Sequence, residues 1–279
     1  MVTEITQKVY KDYYSEKERV DLISKYEKKE IDQMIFPDGS VPHGVLKNGL
    51  TVFDSIDLRK TMVAESKNFI AIIPAGFRDC ETFNTMNPVK ESIGGLRALM
   101  SIVHVIIVPK EDSGIRITNA VTMNKIHHKW LITEMEELGT KAVRILINGN
   151  ENMPGSVRWQ LSQRGKVTMK DNSIQDVELK SSDFRPSCQE SFISMKNGHL
   201  MEVLEECSEN ICHSFHLDKE ASISKLHMHC YIKNLLTTAH DRMEEKSKEK
   251  GRMKNTSSSE IIMMINKGIE NINDSVDYT

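Results

Sequence analysis

The pattern of hydrophobic and polar positions changes three times along the chain and so predicts four segments. Residues 1–43 hold one amphipathic run with helical spacing, which Pro37 ends. Residues 44–186 hold short β-like runs separated by turn residues, and residues 187–243 return to helical spacing. Residues 244–279 begin as a charged and then Ser-rich arm. We therefore predict an N-terminal helical extension, a β core, a C-terminal helical segment and a flexible arm.

The most hydrophobic β-like run covers residues 98–108, in which only Ser101 and His104 are polar. It is too short to span a bilayer. It is also apolar on both faces, as is typical of a strand buried between two layers. A turn follows, and residues 115–123 then alternate apolar and polar positions. These features predict a long hairpin whose first strand is the central strand of the sheet.

Further short runs predict an antiparallel β core. One helix, from Asn124 to Leu138 and closed by Gly139, interrupts them. The other candidate strands cover residues 45–53, 68–73, 142–147, 156–161, 166–170 and 174–179. Strands at this spacing, joined by tight turns, favour an antiparallel sandwich or jelly roll over a parallel sheet with alternating helices. The predicted fold class is mainly β, with flanking helices.

The C-terminal part predicts two helices and a short apolar segment. Helical spacing extends over residues 200–211 and again over residues 228–243. Residues 244–260 are almost free of apolar side chains, which is typical of a flexible linker. The segment that follows is either a docking peptide for a partner or a last helical turn packed on the body. It consists of Ile261, Ile262, Met263, Met264 and Ile265.

Composition places the chain among soluble globular proteins. Hydrophobic residues make up 39% and charged residues 28% of its 279 residues. We expect no membrane span and, since the start of the chain lacks the apolar core of a secretory signal, a protein on the cytosolic side. Its 5 cysteines show no paired spacing and are expected to be reduced. With a net charge of -3, any attraction to nucleic acid must come from a local basic patch.

Cysteine and histidine residues in the C-terminal part form a candidate metal site. Zinc takes four nitrogen or sulfur ligands in a tetrahedron, and two ligands from each of two helices could supply them. The set that fits this arrangement best is Cys207, Cys212, His216 and Cys230. Because no CxxC pair occurs, the spacing is unlike that of a zinc finger, knuckle or ribbon. We expect no bound metal, and this set is the alternative.

Catalytic residues are present only as isolated candidates. Cys80 and Cys188 could act as nucleophiles and His104, His127 or His128 as a base, but no local motif joins a thiol to an imidazole. The paired glycines before the central strand do not precede a helix, which argues against a phosphate-binding loop. We expect a protein that is not an enzyme and that uses no cofactor.

A basic constellation lies in the second half of the predicted β core. Cationic residues alternate with apolar ones along three successive candidate strands, and Trp130 and Trp159 lie near them in sequence. Cations for phosphates and an aromatic ring for base stacking are the minimum for sequence-tolerant binding of a single strand. The alternative is a solvated face of strands whose other face is core. The predicted nucleic-acid-binding residues are Arg144, Arg158, Trp159, Arg164, Lys166 and Lys170.

The order of the elements resembles that of a known family. A strand such as LMSIVHVIIVP, a turn and a second strand such as GIRITNAV follow an N-terminal helix and precede a helical, then unstructured C-terminus. With the later run SVRWQLSQRGKVTMKDNSI, this order resembles the thirty-kilodalton superfamily of plant-virus movement proteins over residues 45–179. The resemblance is one of pattern and length, and it points to a negative-strand RNA virus.

The resemblance implies a non-enzymatic protein that mediates cell-to-cell transport of infection through plasmodesmata. Such a protein would bind viral single-stranded RNA or the viral nucleocapsid protein, and it would self-associate. It would work in the host cytoplasm and at the cell periphery, with peripheral contact to membranes. Two alternatives remain: a viral matrix-type structural protein that bridges nucleocapsid and membrane, and a zinc-dependent or cysteine enzyme.

Overall fold

An antiparallel sheet packed against a long helix forms the framework of the protein. The computed structural model describes Ser24 and residues 62–73, 101–115, 117, 120–162, 166–168, 174–176, 178–215, 226–238 and 256–274. In chain order its strands are β1 (Met62–Glu65), β2 (Phe69–Ile72), β3 (His104–Pro109), β4 (Lys166–Thr168), β5 (Ile174–Asp176), β6 (Ile211–Phe215), β7 (Met228–Ile232) and β8 (Thr256–Ser257). Six of them form one sheet in the order β1-β2-β3-β7-β6-β8, and β4 pairs with β5.

Helices cover the sheet in the described part of the chain. They are α1 (Ile126–Asn148), α2 (Val157–Ser162), α3 (Pro186–Lys196), α4 (Leu200–Glu209) and α5 (Ser258–Asp274). The longest, α1, lies across the sheet and contacts β1, β2, β3, β6 and β7, and α5 packs against α1. The main core therefore lies between α1 and the sheet.

The central strand lies where the sequence predicts it, although it is shorter. β3 is buried along its whole length between β2 and β7. Val105 and Ile107 join the main core, whereas Ile106 and Val108 belong to a second apolar cluster. Because successive side chains of a strand point to opposite faces, the two clusters lie on opposite faces of the sheet. Because both faces of β3 are buried, all of its residues except His104 are apolar.

The predicted hairpin is wrong, because β3 pairs with strands that are distant in sequence. After β3 the chain makes a 3-10 turn at Glu111–Ser113. The described residues of 115–123 form no strand, and Ala120–Thr122 is a second 3-10 turn. Ile117 and Met123 are buried in the main core. The apolar positions of this run therefore fill the core from a loop.

The predicted fold class, a mainly β sandwich or jelly roll, is also wrong. The chain is mixed α/β, with one open sheet and no sandwich in its described part. Residues 142–147, predicted as a strand, lie in α1, and all but the first residue of the strand predicted at 156–161 lie in α2. The helix that was expected to end at Gly139 continues to Asn148, because buried residues keep their helical spacing beyond the glycine.

Other predicted elements are confirmed in part. Residues 68–73, 166–170 and 174–179 contain β2, β4 and β5, and the helix predicted from residue 200 is α4. The second C-terminal helix is wrong where it is described, because residues 228–232 form β7. All five residues of β7 are buried. A strand covered on both faces carries enough apolar residues to resemble a helical pattern over this length.

Some predictions fall outside the described residues. They are the strand at residues 45–53, the arm at residues 244–255 and the N-terminal helix, in which only Ser24 is described and is helical. The sheet combines strands from three of the four predicted segments. β1, β2 and β3 come from the predicted β core, β6 and β7 from the C-terminal segment, and β8 from the arm.

Candidate nucleic-acid interface

Two described members of the predicted basic face lie on helices and not on strands. Arg144 is exposed on α1 and Arg158 lies on α2, so both are on helices. Arg158 Nη1 donates hydrogen bonds to two carbonyl groups at the end of α1 (3.2 and 3.3 Å), so this side chain holds two helices together. Lys166 begins β4, whereas Arg164 and Lys170 lie outside the described residues. A contact of these residues with nucleic acid stays a prediction.

The two tryptophans of the chain have opposite environments. Trp159, which was expected to stack on bases, is only 3% exposed and belongs to the main core. Its ring therefore has no face for a ligand. Trp130 is 70% exposed on α1. Of the two, Trp130 is the tryptophan that can meet a base.

Trp130 belongs to a surface at the N-terminal end of α1, which we call the Trp130 surface. It consists of Lys125, Ile126, His127, Lys129 and Trp130. Ile126 is 55% exposed and precedes Trp130 by about one helical turn, so the two side chains form one apolar stripe. At about 100° per residue, Lys129 lies on one side of the stripe and His127 on the other. Lys125 lies at the start of the helix beside Lys129.

The described charges in the first turns of α1 favour an anion. The first turn of α1 contains no acidic residue, and a helix N-terminus carries partial positive charge. The first acid along α1 is Glu134, whose carboxylate accepts hydrogen bonds from Ser66 Oγ (2.6 Å) and from the backbone (2.9 Å) and side-chain (2.7 Å) N–H groups of Asn68. Although burial acts in the opposite direction, these bonds lower the pKa of Glu134. Its charge therefore anchors the β1–β2 turn.

His128 fixes the start of α1 and with it the position of Trp130. Its Nδ1 accepts hydrogen bonds from the backbone N–H groups of Asn124 (2.9 Å) and Lys125 (3.1 Å). Burial, followed by the charges of His127 and Lys125, lowers the pKa of His128 to about 4. The ring is therefore neutral near neutral pH, and its acceptor nitrogen remains bound to the backbone.

Comparison with family models, curated proteins and solved structures finds no match for this chain. In the described part of the chain, no helix is both long and apolar enough to cross a membrane. Function is therefore inferred from the residues themselves.

The three candidate zinc ligands that the structure describes do not converge. Cys207 is buried on α4, Cys212 lies on β6 and Cys230 on β7, and His216 is outside the described residues. Cys230 pairs with the residue that follows Cys212, so the two thiols point to opposite faces of the sheet. Among the described residues, no group of three or more His, Cys, Asp or Glu side chains could hold a metal ion.

The described thiols lack the surroundings of a nucleophile. Burial raises the pKa of Cys207 to about 12, and burial also raises the pKa of Cys230 well above its usual value. Reactive cysteines have a lowered pKa instead. Cys188 is buried on α3, and Cys80 lies outside the described residues.

His104 is a core residue bound to another histidine. Its Nε2 lies 2.8 Å from Nδ1 of His229, and the ring of Tyr231 meets it edge-on. Burial, followed by the charge of His227, lowers the pKa of His104 to about 3. No described thiol or hydroxyl group forms a hydrogen bond with His104. Its surroundings are those of a neutral structural histidine.

The apolar segment of the C-terminal arm lies in α5. Ile261 and Ile265 are fully buried in the main core, and the three residues between them are partly buried. This arrangement agrees with the packed alternative and leaves the two isoleucines covered. A capping box starts the helix: Glu260 Oε2 accepts from the Ser257 N–H (2.8 Å), and the Glu260 N–H donates to Ser257 Oγ (3.3 Å).

Proposed function

We propose that the protein binds single-stranded nucleic acid on the Trp130 surface and has no catalytic activity of its own. The observation that carries this proposal is the exposure of Trp130, which is 70% accessible beside two lysines. Base stacking on an aromatic ring contributes about 1–3 kcal/mol per base and tolerates any sequence. Lysines next to the ring supply the counter-charge for the phosphates.

Single strands suit this surface better than a duplex. In a duplex the bases stack on one another, whereas an unpaired base can lay its face on Trp130. The absence of acidic residues from the first turn of α1 removes a nearby source of repulsion. The net charge of -3 does not prevent binding, because salt confines the field of distant surface charges to about 8 Å.

Cell-to-cell transport of a viral genome is the biological role that we propose for this binding. The resemblance to movement proteins rested on a β-rich core, and the mixed α/β fold contradicts that core. The proposal is therefore supported by the Trp130 surface and not by the fold. Action at plasmodesmata, self-association and the matrix-type alternative stay predictions.

Two charge reversals on the same helix should have different effects. Lys125→Glu combined with Lys129→Glu should lower the affinity for single-stranded RNA at least about tenfold at about 50 mM salt, because phosphate contacts dominate binding there. The slope of log K against log salt should also become shallower by about 1.4, since each phosphate contact on a single strand contributes about 0.7. Fluorescence anisotropy of a labelled RNA over a salt series measures both quantities.

Lys141→Glu combined with Arg144→Glu is the matched control. It makes the same change of charge on α1, at exposed residues several turns away from Trp130. Its affinity should stay close to that of the wild type. Loss of binding in this control alone would favour the basic set that includes Arg144. No salt-sensitive binding by the wild type would refute the proposal.

A further inference from the structure

A cavity of about 350 Å³ lies beside the Trp130 surface, at the N-terminal end of α1. Its volume falls within the range of about 300–1,000 Å³ that is typical of small-molecule sites. Ile115, Ile117 and Leu131 contribute apolar walls, and Asn124 contributes a polar one. His127 lines the cavity and is exposed, so it lies at the rim.

Asn124 distinguishes this cavity from an ordinary surface cleft. The residue is 6% exposed, and its backbone N–H donates to His128 Nδ1 (2.9 Å). Its side-chain amide forms no hydrogen bond with any described residue. The amide is not among the described side-chain atoms that are both buried and without a partner, so its polar atoms reach the solvent in the cavity and can pair with a ligand there. The amide offers donors and an acceptor together, which match the edge of a nucleobase.

His127 connects the cavity with Trp130. Because successive helical residues are about 100° apart, His127 lies between Trp130 and Leu131 around the axis of α1, and Leu131 lines the cavity. A strand whose base stacks on Trp130 can place its next base at the mouth of the cavity. The phosphate between the two bases then lies near His127 and Lys125, which both line the cavity.

We infer that the cavity accepts one unstacked nucleobase of the strand on the Trp130 surface, and that the Asn124 amide pairs with the edge of that base. This inference rests on the proposed function and adds a base preference to it. Stacking on Trp130 alone tolerates any base, whereas hydrogen bonds to the edge of an unstacked base discriminate among bases.

Free nucleotides test the cavity separately from RNA. Nucleoside monophosphates of the four bases serve as probes in saturation-transfer NMR and in calorimetric titration. The wild type should bind at least one of them. Asn124→Ala should weaken that binding about tenfold or more, because the edge of the bound base then loses its hydrogen-bond partner. Among the four homopolymeric RNAs, the wild type should prefer one, and Asn124→Ala should lose that preference.

Asn148→Ala is the matched control, since it makes the same change at an exposed residue at the other end of α1. It should alter neither nucleotide binding nor the preference among RNAs. The thermal midpoint of Asn124→Ala should stay close to that of the wild type, because the amide it removes reaches solvent and forms no hydrogen bond with the described residues. A lower midpoint with unchanged nucleotide binding would show a structural role for Asn124 and overturn the inference.

The outcomes separate this inference from the proposed function. RNA binding without base preference and without nucleotide binding would overturn the cavity inference and leave the Trp130 surface intact. Nucleotide binding that depends on Asn124, in a protein that does not bind RNA, would support the cavity and refute the proposed function. If the protein binds neither probe, both are wrong.

Discussion

Replacing Gly139 with alanine should destabilise the protein, although the same change inside an exposed helix is stabilising. In a helix interior, alanine normally makes the protein about 0.5–1 kcal/mol more stable than glycine does. At this position the new Cβ would overlap Cys230 Sγ of β7 and lie 3.2 Å from Cys230 Cβ. Overpacking of this kind costs about 1–3 kcal/mol. Urea denaturation should therefore show a lower midpoint for Gly139→Ala.

A second substitution identifies the cause. Cys230→Ala removes the sulfur atom that the new Cβ would overlap, so Gly139→Ala should be much less harmful in the Cys230→Ala background. A double-mutant cycle should then give a favourable coupling of about 1 kcal/mol or more, as expected for residues in contact. If Gly139→Ala instead raises the stability, α1 does not approach β7 at this point and the packing described above is wrong.

Acidification from about pH 7 to about pH 5 should destabilise the protein, mainly through two buried histidines. The pKa is lowered to about 3 for His104 and to about 4 for His128, in each case first by burial. In the unfolded chain both take up protons below about pH 6.5, whereas the folded protein stays unprotonated. The stability that depends on their neutral rings is thus fully present above about pH 6.5, and it is lost as the pH falls towards the pKa values of the folded protein. For each histidine the loss approaches about 2 kcal/mol near pH 5, because both folded pKa values lie below that pH.

His104→Gln should weaken this pH dependence. A glutamine amide can still form a hydrogen bond with His229 but does not titrate between about pH 5 and pH 7. His199→Gln is the control, because the His199 side chain is 68% exposed. Denaturation midpoints at three pH values should give a shallower slope for His104→Gln and an unchanged slope for His199→Gln. Equal slopes for all three proteins would mean that His104 is not buried as a neutral ring.

The sequence predicts β3 but not its partners. Because β3 is buried on both faces, the sequence shows a run there in which His104 is the one polar side chain. Apolar alternation shows which side chains face a core, but it does not show which distant strand lies beside them. The sequence therefore predicts the nearest alternating run, residues 115–123, as the partner. The actual partners, β2 and β7, lie far from it in the chain.

The second half of α1 was predicted incorrectly for a related reason. Gly139 resembles a residue that ends a helix, and the branched residues after it resemble a strand. The glycine is needed because Cys230 of β7 approaches the helix there, and this contact leaves no local signal. Helical spacing of apolar residues continues through the glycine, and this spacing does indicate a longer helix. The buried residues include Ile132, Met135, Leu138, Ala142, Val143 and Leu146.

The candidate site was predicted only in part. Trp130 was identified beside a basic constellation, but Trp159 was chosen as the stacking residue. On a helical wheel of the full-length α1, Trp130 lies on the same side as the polar residues Thr133 and Glu137. This position predicts that Trp130 is exposed. Lys125, Lys129 and Asn124 were missed because their role depends on where the helix begins. The His128 side chain fixes the start of the helix by accepting hydrogen bonds from the backbone, and a histidine in the sequence does not predict such a contact.

Tryptophan fluorescence tests the central claim most directly, because the chain contains 2 tryptophans in opposite environments. Titration with single-stranded homopolymeric RNA at low salt should quench the emission of the wild type saturably, as a base stacks on Trp130. Trp159→Phe should be quenched in the same way, and the emission of Trp130→Phe should not change. Quenching that persists in Trp130→Phe, or RNA binding by the wild type without any change in emission, would contradict binding at the Trp130 surface.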